Sequence, residues 1–138
     1  MKKTVLVVEN RTLSRTVIVA ILEFNGLRCI AAENGQQALE LLTISHCDLI
    51  LTNLTMPIVD GIEFIKIVRK REKLMGVNKP IPIVVLSSDR NDIVKSAKAY
   101  GISGCFVKST SSVSFDKPVP TLKRLLGEIV WDRQLRPH

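Results

Sequence analysis

The strongest constraint on the fold of this chain is a short apolar run, Leu49-Ile50-Leu51-Thr52, that ends at Asn53. Met56-Pro57 and then Asp60-Gly61 come after it. The run is too short for a helix and a Pro- and Gly-containing turn closes it, so it predicts a buried strand. Such a strand delivers Asn53 to the edge of a sheet.

Similar apolar runs alternate along the chain with segments of helical periodicity. The predicted strands are Thr4–Val8, Arg28–Ala31, Asp48–Thr52, Ile83–Leu86 and Gly104–Val107. The helical segments carry apolar residues from Leu13 to Phe24, Ala38 to Leu42, Ile62 to Val68, Ile93 to Ala97 and Val119 to Val130. In the first segment the apolar residues that recur at helical spacing are Leu13, Val17, Ala20, Ile21 and Phe24. Short apolar strands that alternate with helices predict an α/β fold, a doubly wound parallel sheet of five strands with five helices on its two faces.

The length of the chain fits one domain. Its 138 residues, 46% of them hydrophobic, suffice for a core without disulfides or a structural metal, so residues 1–138 are predicted to form a single domain. The segment Ser109–Asp116 is predicted as a loop and Asp132–His138 as a fraying tail. No signal peptide or membrane span is apparent, and Cys29, Cys47 and Cys105 lack disulfide or metal spacing. These features predict a cytoplasmic location.

The chain carries a formal net charge of +7, which could steer an anionic partner. One basic cluster holds Lys66, Arg69, Lys70, Arg71, Lys73 and Lys79, and a second holds Lys123, Arg124, Arg133 and Arg136. The first cluster is interpreted as a solvated face of the third helix and the loop after it. With one Trp, one Tyr and four Phe, the chain lacks an aromatic series for base stacking, so a nucleic acid is not the expected partner.

Polar residues stand at the carboxyl ends of the predicted strands. Glu9 and Asn10 follow the first strand, Asn53 the third, Ser87 the fourth and Lys108 the fifth. In doubly wound sheets the functional crevice lies outside the carboxyl ends of the strands, where the strand order reverses. We therefore expect these five residues to converge in space.

The order and spacing of these markers resemble the receiver domains of two-component response regulators. The matching segments are Val7-Val8-Glu9-Asn10 at the acidic pair, Asp48 to Asn53 at the phosphoacceptor strand, Met56-Pro57 with Asp60-Gly61 in the following loop, Leu86-Ser87-Ser88 at the switch hydroxyl, and Lys108 at the invariant lysine. The resemblance covers nearly the whole chain. It implies a flavodoxin-like receiver fold with strand order 2-1-3-4-5, phosphorelay chemistry on an aspartate, and a Mg²⁺ held by carboxylates.

The phosphorylation pocket departs from what the resemblance implies. Asn53 stands at the phosphoacceptor-equivalent position, and its neutral amide cannot attack a phosphoryl group as a carboxylate does. The acidic pair is reduced to Glu9 with Asn10, so one carboxylate remains and Mg²⁺ binding is expected to be weak or absent. Lys108 is then expected to pair with Glu9 or to donate to the amide oxygen of Asn53.

The switch positions implied by the resemblance are altered as well. Ser87 retains the hydroxyl, but Cys105 occupies the aromatic-switch position, and a thiol cannot swing as a ring does. Ser109 replaces the proline that usually follows the lysine. Receivers often use the surface of the fourth helix, fifth strand and fifth helix for partners, including a second copy in a homodimer. Here this surface is predicted to be reshaped and not gated by phosphorylation.

The sequence thus favours a pseudo-receiver that is not an enzyme, has no catalytic residue and no cofactor, and signals by binding a protein. The expected partner is a signalling kinase, an effector or another receiver, and no membrane contact is expected. Two alternatives stay open. One is a Mg²⁺-dependent receiver whose acceptor Asp was substituted at position 53. The other is nucleic-acid binding through the basic face of the third helix, which would weaken steeply with salt.

Overall fold

The computed structural model describes residues 2–54, 56, 58–87, 95 and 97–107, with residues 87 and 104–107 described by their backbone alone. Its elements are β1 (Thr4–Val8), α1 (Thr12–Phe24), β2 (Arg28–Ala32), α2 (Gly35–Ile44), β3 (Leu49–Asn53), α3 (Gly61–Leu74), β4 (Ile83–Ser87) and β5 (Gly104–Val107). The predicted alternation of strands and helices is confirmed over these elements.

The strands form a parallel five-stranded sheet in the order β2-β1-β3-β4-β5. β1 and β3 are neighbours, with Val5 to Val8 in register with Leu49 to Thr52. The chain builds the sheet outward from β1 in both directions, so the carboxyl ends of β1 and β3 flank the point where the strand order reverses. The predicted flavodoxin-like fold with a parallel sheet is confirmed.

Three strands extend one residue beyond their predicted carboxyl ends, to Ala32, Asn53 and Ser87. Asn53 lies in register with Leu86 of β4, and Ser87 lies in register with Val107 of β5. The sequence prediction ended each strand near its last apolar residue. Backbone pairing, however, depends on the neighbouring strand and continues for one further residue in each case.

The two faces of the sheet bury alternate residues of the same strands, as the pleat of a strand requires. On the face covered by α2 and α3, the core includes Leu6, Val8, Ile50, Phe64, Ile65 and Val68. On the face covered by α1, it includes Val5, Val7, Leu49, Leu51, Ile18 and Leu22. Both faces of β1 and β3 are therefore buried, which explains why the sequences of these strands are continuous apolar runs.

The inward face of α1 differs from the one that the sequence favoured. Helical spacing placed Leu13 and Phe24 in the apolar stripe, but their exposed fractions are 78% and 92%. Ile18 and Leu22 are buried against the sheet instead. The expectation was wrong because α1 is apolar around most of its circumference, so periodicity alone does not select a face.

The basic cluster of α3 is not one solvated face, because Arg69 belongs to the interior side of the helix. Arg69 Nη1 lies 2.6 Å from Glu72 Oε1, and the two side chains are only 17% and 14% exposed. Arg69 Nε and Nη2 donate to the carbonyl oxygens of Tyr100 and Gly101 at 2.8 and 3.1 Å. Glu72 Oε2 accepts from the Ile81 N–H at 2.6 Å. The solvated-face interpretation is therefore wrong for Arg69.

Several predictions fall on the later part of the chain. Ala97 is helical and fully buried, in agreement with an inward position in the fourth helix. The predictions outside the described residues are Ile93 and Val94, the loop Ser109–Asp116, the fifth helix from Val119 to Val130, the second basic cluster and the tail Asp132–His138. None of the helices in the described part is long and apolar enough to span a membrane.

Candidate functional site

The carboxyl ends of β1 and β3 bring three predicted site residues together. Asn53 Nδ2 donates to Asn10 Oδ1 at 3.0 Å and to Glu9 Oε1 at 3.4 Å. Glu9 is fully buried and Asn53 is 8% exposed. The two asparagine side chains and the carboxylate therefore form one hydrogen-bonded cluster at the point where the strand order reverses.

Glu9 is held by the first turn of α1 as well as by Asn53. The Arg11 N–H donates to Glu9 Oε1 at 3.2 Å, and Arg15 Nη1 donates to the Glu9 carbonyl oxygen at 2.9 Å. The Arg11 N–H serves the buried carboxylate, whose desolvation is otherwise too costly, whereas Arg15 serves the backbone carbonyl of the same residue. The start of α1 thus supplies both a backbone donor and a guanidinium to the edge of the pocket.

Asn53 is held in place by a close contact between β3 and the start of α3. The Gly61 N–H donates to the Leu54 carbonyl oxygen at 2.9 Å. A Cβ atom at Gly61 would lie 2.2 Å from the Asn53 carbonyl oxygen and 2.5 Å from Leu54 Cα, closer than any side chain allows. Asp60 begins the helix, because its Oδ1 accepts from the Glu63 N–H at 2.9 Å. Only glycine at position 61 permits this approach.

The loop between β3 and α3 contains a strained residue. Ile58 has φ +69°, a left-handed conformation that is unfavourable for a β-branched side chain. Its side chain is nevertheless 77% exposed, so no packing offsets the strain. The next residue, Val59, accepts a hydrogen bond at 3.3 Å from the N–H of Gly35, where α2 begins. The loop is therefore pressed against α2 while Ile58 projects into solvent.

Two of the remaining predicted site residues, Ser87 and Cys105, lie on β4 and β5. Ser87 ends β4, the strand next to β3, so its backbone lies at the same edge of the sheet as Asn53. Cys105 is inside β5, in register with Val85. Lys108 and Ser109 lie outside the described residues. The pairing of Lys108 with Glu9 or Asn53 stays a prediction.

The sequence also matches a known family. The model for the response regulator receiver domain matches residues 5–117. This chain belongs to the response regulator receiver family. The matched range contains the Glu9–Asn10–Asn53 cluster, so that cluster lies inside the receiver domain and at the carboxyl edge of its sheet.

Individual relatives agree with this assignment. The chain is 27% identical over 128 residues to the polar-differentiation response regulator DivK of Brucella ovis. This alignment covers 93% of the present chain and 99% of DivK. The chain is 38% identical over 89 residues to hybrid signal transduction histidine kinase E of Dictyostelium discoideum, covering 64% of this chain but only 5% of the kinase. The receiver domain of Saccharomyces cerevisiae Ssk1, solved with the histidine phosphotransfer protein Ypd1, superposes with a TM-score of 0.82 at 24% identity, covering 97% of this chain and 92% of that one.

The described part of the pocket, Glu9, Asn10 and Asn53, does not offer the donor set that Mg²⁺ prefers. Among the described residues, no group of three or more His, Cys, Asp or Glu side chains could hold a metal ion. Glu9 Oε1 and Asn10 Oδ1, the oxygens that a cation would need, instead accept from the Asn53 amide. Mg²⁺ favours charged oxygen ligands in octahedral geometry, whereas Asn10 and Asn53 are neutral. These residues therefore do not fit a Mg²⁺ site.

Three residues of the site were missed from the sequence alone. Arg11 and Arg15 contact Glu9, and Ile58 is strained. The two arginines carried a usable pattern, because they directly follow the strand end at helical spacing. Ile58 carried none, because a backbone angle is a property of the folded chain. Gly61 was singled out as a marker of the turn, but its close approach to Asn53 could not be read from the sequence.

Titratable groups away from the pocket behave as structural residues. Burial raises the pKa of the Cys29 thiol to about 12, with Glu23 adding to the shift, and burial followed by Asp48 raises the pKa of Cys47 to about 11. Both thiols are free, with Cys47 buried and Cys29 partly buried. His46 is 84% exposed and its Nε2 lies 3.1 Å from Asp48 Oδ1, which identifies a surface histidine.

Proposed function

We propose that this receiver domain does not take a phosphoryl group at Asn53 and that it signals by binding a protein partner in a phosphorylation-independent way. The observation that supports this proposal is the Asn53 amide, whose Nδ2 bridges Asn10 Oδ1 at 3.0 Å and Glu9 Oε1 at 3.4 Å. The amide places a donor between the two oxygens that would otherwise face a cation. The pocket is thereby closed by its own side chains.

The chemistry of position 53 supports the same proposal. Acyl phosphate formation requires a carboxylate oxygen as the nucleophile, and an amide oxygen is neutral and weakly nucleophilic. Glu9, the one carboxylate in the described hydrogen-bonded cluster, is fully buried and already accepts hydrogen bonds from the Arg11 N–H and from Asn53. Weak or absent Mg²⁺ binding follows, because one carboxylate cannot offset the dehydration of the ion.

The proposed partner is a component of a phosphorelay. In the structure of yeast Ssk1, a receiver domain is bound to the histidine phosphotransfer protein Ypd1. For the present chain we propose a partner of the same signalling class: a kinase, a phosphotransfer protein, an effector or another receiver. Leu13 and Ile58, which are 78% and 77% exposed on the elements around the pocket, are available to such a partner. A homodimer through the fourth helix, fifth strand and fifth helix stays a prediction.

The test is an NMR titration of the ¹⁵N-labelled chain with beryllofluoride and Mg²⁺. We expect no saturable amide shifts at Glu9, Asn10 or Asn53 in the natural sequence. The matched control is the double variant Asn10→Asp, Asn53→Asp, which restores the carboxylates and should show saturable shifts at the same positions. Saturable shifts around Asn53 in the unmodified chain would contradict the proposal.

The single variant Asn53→Asp distinguishes the main alternative, a Mg²⁺-dependent receiver with a substituted acceptor. If that variant accepts a phosphoryl group from acetyl phosphate as fully as the double variant, only position 53 was altered and the alternative holds. We expect instead that Asn53→Asp responds much more weakly, because Asn10 still supplies a neutral oxygen to the metal. Intact-mass spectrometry of the acyl phosphate measures both variants directly.

A further inference from the structure

The carboxyl end of α3 carries a surface that the pocket does not explain. Leu74, Met75 and Val77 are 77%, 80% and 44% exposed, and they lie within four consecutive positions. Lys70 and Lys73 flank them on the same helix. We call these five residues the basic–apolar patch. Isolated exposed apolar side chains are ordinary, but a cluster bordered by one sign of charge indicates an interaction site.

Helical geometry places the members of the patch side by side. Lys70, Lys73 and Leu74, all within α3, follow the spacing that aligns side chains along one face of a helix. The helix ends at a glycine in the left-handed conformation, Gly76, with φ +68°. The Gly76 N–H donates to the Lys73 carbonyl oxygen at 3.2 Å, and the Val77 N–H donates to the Glu72 carbonyl oxygen at 3.0 Å. This motif turns the chain back over the last turn and holds Val77 beside the helix.

The charge around the patch is strongly one-sided. Residues 66–79 include six basic residues and one acidic residue, Glu72. Glu72 is occupied by Arg69 at 2.6 Å, which leaves the five other cations without a carboxylate from this stretch. Basic residues in the last turn of a helix offset its macrodipole, which accounts for part of this charge. The macrodipole does not account for exposed leucine and methionine at the same place.

We propose that the basic–apolar patch binds an acidic amphipathic segment of a partner protein, with carboxylates against Lys70 and Lys73 and apolar anchors against Leu74 and Met75. Charge complementarity selects an acidic occupant, and the apolar side chains distinguish a peptide from other anions. A nucleic acid would cover Leu74 and Met75 with phosphates without gaining from their burial. A lipid surface would need a long apolar helix face, but Phe64 and Ile65 commit that face of α3 to the core.

The patch lies at the edge of the sheet opposite the pocket. α3 begins where Gly61 meets Leu54 at the carboxyl end of β3, and it ends near Ile81, just before the start of β4. A partner bound there does not touch Asn53. Binding at the patch is therefore independent of the state of the pocket, and it stands or falls separately from the proposed function.

The probe for the test is a synthetic helical peptide with leucine on one face and glutamate on the other, titrated into the ¹⁵N-labelled full chain. We expect saturable amide shifts confined to residues 70–79 and an affinity that falls as salt is raised. The variant Leu74→Gln, Met75→Gln and the variant Lys70→Glu, Lys73→Glu should each weaken binding about tenfold. The control variants Phe24→Gln and Lys2→Glu, which change exposed residues elsewhere, should bind as the unmodified chain does.

Several outcomes would overturn the proposal. They are the absence of saturable shifts at the patch, equal losses in patch and control variants, or binding that ignores the Leu74 and Met75 substitutions. Stronger patch-dependent binding to phosphatidylserine vesicles or to duplex DNA than to the peptide would also overturn it. Thermal unfolding followed by circular dichroism verifies that each variant is folded. Asn53→Asp should leave peptide binding unchanged, which separates this surface from the pocket.

Discussion

Replacing Arg69 by methionine should cost about 3 kcal/mol of unfolding free energy, because one side chain there satisfies three acceptors. Arg69 donates to Glu72 Oε1 at 2.6 Å and to the carbonyl oxygens of Tyr100 and Gly101 at 2.8 and 3.1 Å. Loss of the two carbonyl bonds contributes about 1 kcal/mol each. The carboxylate of Glu72, 14% exposed, would be left without its cation, which adds about 1 kcal/mol after allowance for residual water.

The assay is urea unfolding at equilibrium, with the midpoint and slope recorded for each variant. The matched control is Arg71→Met, since Arg71 is exposed on the same helix and donates one longer bond, 3.3 Å, to the Leu39 carbonyl oxygen. That control should lose about 0.5 kcal/mol. A cycle with Glu72→Gln, which keeps an oxygen for the Ile81 N–H, should show a coupling of about 1 kcal/mol. An Arg69→Met loss no larger than that of Arg71→Met would refute the assigned role.

Other substitutions and reagents test further features. Gly61→Ala should destabilise the fold by about 3 kcal/mol, because the alanine Cβ would lie 2.2 Å from the Asn53 carbonyl oxygen. The largest NMR shifts should fall at Asn53, and an unchanged free energy of unfolding in urea would contradict the close approach. Ile58→Gly should raise the free energy of unfolding by about 0.5 kcal/mol, because glycine relieves the strain of the left-handed backbone. The control Ile58→Ala should change that free energy by about zero, and a destabilised glycine variant would show that the strain is absent. Cys29 and Cys47, with pKa values raised from 9.0 to about 12 and about 11, should resist iodoacetamide at pH 9 in the folded chain and react in urea, as peptide mass spectrometry can measure. The raised pKa values mean that the folded chain favours the neutral thiols. The stability that the two buried thiols contribute is therefore complete below pH 9.0 and is lost as the pH rises toward 11, and unfolding measured across that pH range should show the loss.

The sheet and the place of the pocket were accessible from sequence because each depends on short-range pattern. Apolar runs ending in polar residues located Glu9 and Asn53 at strand ends, and the rule for doubly wound sheets placed them at one crevice. The hydrogen-bond acceptor of the Asn53 amide nitrogen could not be predicted from the sequence. The sequence predicted a contact of Lys108 with Glu9 or with the Asn53 amide oxygen, and Lys108 lies outside the described residues. It gave no indication that the amide nitrogen of Asn53 donates to Asn10 at 3.0 Å.

The role of Arg69 and the inward face of α1 were inaccessible for a different reason. Arg69 and Lys70 carry the same charge, so composition does not distinguish them. They are consecutive residues of α3 and point in different directions around the helix, and only Arg69 is directed at the carbonyl oxygens of Tyr100 and Gly101. In α1 the apolar residues are too numerous to define one stripe, so only the sheet decides that Ile18 is buried. Both outcomes depend on tertiary neighbours that are distant in sequence.

The hydrogen bond between Asn10 and Asn53 has a consequence for any attempt to build an acidic pocket by substitution. Replacing Asn53 alone by Asp would remove the donor and set a carboxylate against Glu9 Oε1 and Asn10 Oδ1, which lie 3.4 and 3.0 Å from the present amide nitrogen. Like charges at such a distance repel, and Asn10 would add no charge to attract a compensating cation. The order of the two substitutions therefore matters. Asn10→Asp keeps an acceptor opposite the Asn53 Nδ2 donor, whereas Asn53→Asp removes that donor and leaves acceptors facing one another.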